Sequence, residues 1–188
     1  RYDPVYRKMP EYLKQVGNLK LIQCNFSQYS SRYDAYKQGK VLPAFDPQLS
    51  GGALRDLNVY NIHFVAGLLG KPESVHYTCN TGFNGVDTSG TLVLQYPTCI
   101  AVCTAAKDSR SSSGIIVQGD EGTIEIHSRP GIMRNVTVNN EEITCSSQQP
   151  MVLEFKAMQD VIEAKDYDIC NRWMEQTLIV TEILEQAT

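Results

Sequence analysis

The residues best placed to do chemistry are Asp56, Tyr60 and His63, within the stretch Ser50 to Gly70, SGGALRDLNVYNIHFVAGLLG. At a helical advance of about 100° per residue, positions i, i+4 and i+7 share one face. A carboxylate, a phenol and an imidazole then form a single stripe. Such a set gives the helix a titratable face that can line a site. Leu54, Leu57, Val65 and Leu68 fall on the opposite side, so the same helix can line a site and pack on a core. Gly51 and Gly52 open the pattern, Gly70 closes it as a C-cap, and Lys71-Pro72 breaks it.

The elements around this helix follow from periodicity and turn chemistry. Residues 3–15 read as a helix ended by Gly17, and residues 19–30 as an alternating strand. Residues 31–49, with Gly39, Pro43 and Pro47, read as a long loop. From 73 to 145 short β-like runs (74–82, 87–96, 99–107, 114–118, 122–127, 132–138 and 142–145) are separated by close turns. Such spacing demands largely antiparallel hairpins. Two helices finish the chain, at about 150–164 and 168–186, the second with Asp168 as N-cap and Ile169, Trp173, Val180, Ile183 and Leu184 as its apolar face. The fold class is therefore α+β: a large open, mostly antiparallel sheet with helices on one face. Apolar residues of both parities, as in Leu92-Val93-Leu94 and Ile115-Ile116-Val117, predict that the other face is covered, most simply by a second copy of the chain in a homo-dimer or higher oligomer.

Composition narrows the function classes. The chain has 188 residues and a net charge of −4, which fits one domain and gives no basic footprint for nucleic acid. Its apolar runs, such as Phe64 to Leu69, are too short to span a bilayer. Six cysteines occur without CxxC spacing or a Cys/His cluster, so they are read as free thiols in a cytoplasmic protein, with neither disulfide nor metal. His76 and His127 alternate with apolar strand residues and read as structural. Lys107-Asp108-Ser109-Arg110 reads as a hairpin tip, and Trp173 as a core or interdomain anchor. The chain opens on Arg1-Tyr2-Asp3-Pro4 rather than Met, which suggests a domain of a longer protein.

Four motifs in order carry a family resemblance. Gly51-Gly52-Ala53-Leu54-x-Asp56-x-x-x-Tyr60, followed by Leu68-x-Gly70 and Pro72, resembles the C-terminal domain of the glucose–fructose oxidoreductase / inositol dehydrogenase (Gfo/Idh/MocA) family. Arg1 to Pro4 resembles the start of the helix that follows that family's nucleotide-binding domain. Asp87 to Leu92 resembles the strand after the motif helix, and Gln118 to Ile126 the family's glycine hairpin. The resemblance runs from about residue 1 to 186. It implies a parent with an N-terminal Rossmann domain that binds NAD or NADP and carries a lysine in a Glu-Lys-Pro motif. This chain, residues 1–188, would be the substrate and oligomerisation half, with no cofactor bound to it alone. Tyr60 and Asp56 take the catalytic positions, and His63 and Asn58 are placed as substrate-binding residues. Substrates of such enzymes are small molecules: sugars, polyols or related hydroxy compounds. Asn58 departs from the pattern, which has glycine there. Asn58 and Asn61 also fall near the aliphatic stripe, where buried amides need partners. The competing reading is a homologous non-catalytic domain kept for oligomerisation or sugar sensing.

Overall fold

The computed structural model describes residues 1–187. In chain order, α1 (Pro4–Arg7) and α2 (Met9–Gln15) lead into β1 (Leu19–Ser27), followed by a short α3 (Tyr33–Lys37) and two 3-10 turns (Pro43–Phe45 and Pro47–Leu49). A π-helical segment, Leu54–Asn58, runs directly into α4 (Val59–Leu69). The sheet then builds through β2 (Ser74–Thr81), β3 (Asp87–Gln95), β4 (Ile100–Ala106), β5 (Gly114–Gly119), β6 (Thr123–Ile126), β7 (Val136–Val138) and β8 (Glu141–Ile143), before α5 (Pro150–Ala164) and α6 (Tyr167–Gln186).

One eight-stranded sheet has the order β2-β3-β4-β1-β5-β6-β7-β8. Among the described residues β1 and β4 are the one parallel pair; every other ladder is antiparallel. This is the α+β architecture expected from the sequence. Alternation decides the faces. Ile22 and Cys24 of β1, Ala101 and Cys103 of β4, and Ile115 and Val117 of β5 are buried with Met9, Ile62, Val65, Val180 and Ile183 of the helices. The opposite face is mixed. The pairing register sets Thr78, Thr91, Thr104 and Asn25 in one row across it, and His76, Val93, Val102, Gln23 and Ile116 in the next.

Several boundaries differ from the sequence reading. The first helix is broken at Lys8, because Pro10 lacks the N–H that would bond back along the chain. The last helix begins at Tyr167 and is capped by Asp166, whose carboxylate accepts from Ile169 N at 3.0 Å; Asp168 instead lies in the first turn. The 31–49 segment is not a plain loop. Its Tyr36 ring stacks on Phe45 at 4.7 Å and on Phe83 at 4.5 Å, so the segment packs on the β2–β3 turn around a small aromatic cluster.

Candidate active site

The site begins with how its helix is anchored. Gly52 has φ +116°, and a Cβ there would lie 1.9 Å from Asp87 Oδ1, so glycine is required on both counts. The close approach lets Asp87 Oδ2 accept from Leu54 N at 2.6 Å, at the start of the helix, and from Tyr77 Oη at 2.6 Å. Burial first, and then the Asp87 carboxylate, push the Tyr77 phenol well above its ordinary range.

The next turn is π rather than α. Val59 N–H reaches back to Leu54 C=O, and Leu54, Leu57 and Asn58 all turn inward. Leu57 packs with Ala53, Phe26 and Ala105. Asn58, fully buried, donates to Cys103 O at 2.9 Å and accepts from Asn61 Nδ2 at 2.7 Å; Asn61 Nδ2 also reaches Thr104 O at 3.0 Å. Asn61 Oδ1 is buried without a partner. The two amides thus tie the helix to β4. Asn58, placed at a substrate position from the sequence, is buried as a fastening of the helix and does not line the cavity that Asp56 and Tyr60 share.

Asp56 and Tyr60 do come together. Both line one cavity of about 640 Å³, along with Phe26, Gln28 and Arg129. Tyr60 is 50% exposed and its ring meets Phe26 edge-on at 5.8 Å. His63 lines a smaller neighbouring cavity of about 220 Å³ that Tyr60 also borders. Burial, and next the positive charge of Arg1, lower the His63 imidazole to about 4, so it is neutral near pH 7.

Lys107 is the residue that sequence reasoning placed wrongly. Rather than capping a hairpin tip, its side chain is 2% exposed and its Nζ lies 2.6 Å from Asp56 Oδ2, whose own side chain is 48% exposed. The same Nζ donates to Ala44 O and sits 4.6 Å from the centre of the Phe45 ring. Its backbone extends β4 between β3 and the end of β1, with Lys107 N donating to Thr88 O and Ser30 N to Lys107 O, each at 2.8 Å. The signal was present in the alternation: Ala101, Cys103, Ala105 and Lys107 share the inward parity of β4. Gln28 and Arg129 carried no comparable signal.

Residues 7–125 match the family model for the GFO/IDH/MocA C-terminal domain. The chain belongs to the Gfo/Idh/MocA family. Within that family it is 30% identical over 195 residues to the scyllo-inositol 2-dehydrogenase (NADP(+)) IolU of Bacillus subtilis, covering 98% of this chain and 58% of that protein. It is 31% identical over 147 residues to a trans-1,2-dihydrobenzene-1,2-diol dehydrogenase of Xenopus tropicalis, covering 76% of this chain and 42% of that one. The chain therefore spans about half the length of these relatives. The fold matches an oxidoreductase of Thermotoga maritima with TM-score 0.74 at 16% identity, over 98% of this chain and 57% of that one. It also matches KijD10, a 3-ketoreductase of Actinomadura kijaniata crystallised with TDP-benzene and NADP, with TM-score 0.72 at 14% identity, over 97% of this chain and 55% of that one. These structures share the sheet and helix arrangement described above. No helix among the described residues is long and apolar enough to cross a membrane.

Proposed function

We propose that this chain is the substrate-facing and oligomerisation half of an NAD(P)-dependent oxidoreductase that acts on a sugar, polyol or similar hydroxy compound. The observation that carries the reading is the convergence of Asp56 and Tyr60 on one cavity, with the Asp56 carboxylate tethered from behind by Lys107. In this reading Asp56 accepts a hydrogen bond from a substrate hydroxyl. The Tyr60 phenol exchanges a proton at the reacting oxygen. His63, neutral near pH 7, contacts the substrate from the adjoining cavity. The relatives named above act, by their names, on an inositol and on a 1,2-diol, which supports a substrate with neighbouring ring hydroxyls.

The nicotinamide cofactor would accept the hydride. In this reading residues 1–187 face such a group rather than hold its pyrophosphate. The helix after Gly51-Gly52 follows 3-10 turns and not a strand, and the parallel pair β1 and β4 has no glycine-rich strand–turn–helix between its members. A Rossmann domain elsewhere in a longer protein would supply that binding, and the chain alone would neither bind NAD(P) tightly nor turn over. The sheet face bearing Val93, Val102 and Ile116 would meet a second copy in a cytoplasmic dimer.

The test is an assay of the complete protein with NAD and NADP against a panel of cyclic polyols and sugars. Oxidation of at least one is expected, with kcat falling roughly 10²-fold or more in Tyr60→Phe. Absence of turnover on every compound, or an unaltered Tyr60→Phe, would refute the assignment.

A further inference from the structure

We infer that Lys107 is a positioning residue for the active site, one that aims the Asp56 carboxylate into the cavity. This inference rests on the functional reading above. The Lys107 ammonium has three protons to place, and its side chain is almost wholly out of water. Its neighbours come from two separate pieces of chain: Asp56 Oδ2 on the π segment, and Ala44 O with the face of the Phe45 ring on the first 3-10 turn. A buried cation persists when its partners are arranged this completely.

The consequence falls on Asp56. Lys107 occupies Oδ2, while Oδ1 has no protein partner among the described residues. A half-exposed aspartate without such a tether would sample its staggered χ1 rotamers. Tethered, it keeps one of them at the cavity that Asp56 lines, one helical turn from Tyr60. Lys107 itself does not line that cavity, so its influence on the substrate passes through Asp56. It also joins the 31–49 segment to the site, because Ala44 and Phe45 share its ammonium.

The test uses Lys107→Met, Asp56→Asn and the double variant of the complete protein. Misplacing an oriented group by about 1 Å can cost on the order of 10²-fold. We expect Lys107→Met to lower kcat/KM for the hydroxy substrate by about 10- to 100-fold, with KM for NAD(P) unmoved. In the Asp56→Asn background the same change should cost less than about threefold. Three-bond couplings from Asp56 Cγ to its backbone N and C′ should report a single rotamer in the parent and averaging in Lys107→Met. Equal losses in both backgrounds, or an Asp56 rotamer untouched by the substitution, would overturn the inference. If Lys107→Met does not fold, Lys107→Gln, which keeps a donor for Ala44 O but no charge, carries the same measurements. Should the parent protein lack dehydrogenase activity altogether, the functional reading falls, and the couplings still decide whether Lys107 positions Asp56.

Discussion

Removing either member of the Asp56–Lys107 pair breaks the same 2.6 Å contact, yet the two deletions are expected to cost very different amounts. The side chains are 48% and 2% exposed, respectively. Asp56→Ala leaves an ammonium inside the protein with one carbonyl and one aromatic ring for company. Stranding a buried charge in this way costs about 3–5 kcal/mol. The lower figure is the better one, because the space vacated by a half-exposed aspartate can admit water. For a domain of this size, about 3 kcal/mol is a fall of roughly 6–12 °C in Tm. Lys107→Met instead removes the buried charge itself and leaves a carboxylate that water can solvate. Only the hydrogen bond to Ala44 O goes unreplaced, so a loss within about 1 kcal/mol is expected. Parallel urea and thermal melts of the two variants at neutral pH measure the asymmetry. Equal losses, or a larger loss for Lys107→Met, would refute the claim that Lys107 is a buried cation dependent on Asp56.

Further outcomes follow from other parts of the fold. Asn58→Ala should destabilise by about 1–3 kcal/mol in urea melts, since it strips Cys103 O of a donor and leaves the buried Asn61 amide with one partner fewer. Gly119→Ala should cost about 1–3 kcal/mol in the same assay, because its Cβ would sit 1.9 Å from Val16 O, a backbone atom that cannot rotate away. His63 is held near 4 in the folded protein, by burial first and then by Arg1, so the unfolded chain takes up its proton first as pH falls. Its contribution to stability is complete above about pH 6.5 and is lost toward pH 4. The pH dependence of urea midpoints across that window should be shallower in His63→Gln.

The architecture was legible in the sequence because it rests on periodicity. The 74–82, 87–96 and 99–107 runs are realised as β2, β3 and β4 to within a residue or two at each end, and α5 falls where its pattern lies. The helix faces were equally legible: Leu54, Leu57 and Val65 are buried while Asp56 and Tyr60 are exposed. What escaped was tertiary. Nothing local marks Leu54–Asn58 as π, since the wider turn is set by Asn58 and Asn61 reaching carbonyls of a strand far along the chain. Lys107 was obscured by its company. Followed by Asp108, Ser109 and Arg110 it resembles a solvated turn, although its parity in β4 points inward. The aromatic stacking of Tyr36 on Phe45 and Phe83 joins segments whose adjacency only the folded chain reveals.

The place of β1 in the sheet has a consequence for how the molecule comes into being. Of the strands of this sheet it is the first to leave the ribosome, yet its neighbours are β4 and β5, with Cys24 opposite both Cys103 and Ile115. Until those later strands are synthesised, Ile22, Cys24 and Phe26 have no ladder to join. β2, β3 and β4 can meanwhile zip locally as consecutive hairpins. Closing the sheet around β1 is therefore the long-range, slow event, and the nascent chain must keep an apolar strand in solution while it waits. The strand at the centre of the finished sheet is the one that waits longest for its partners.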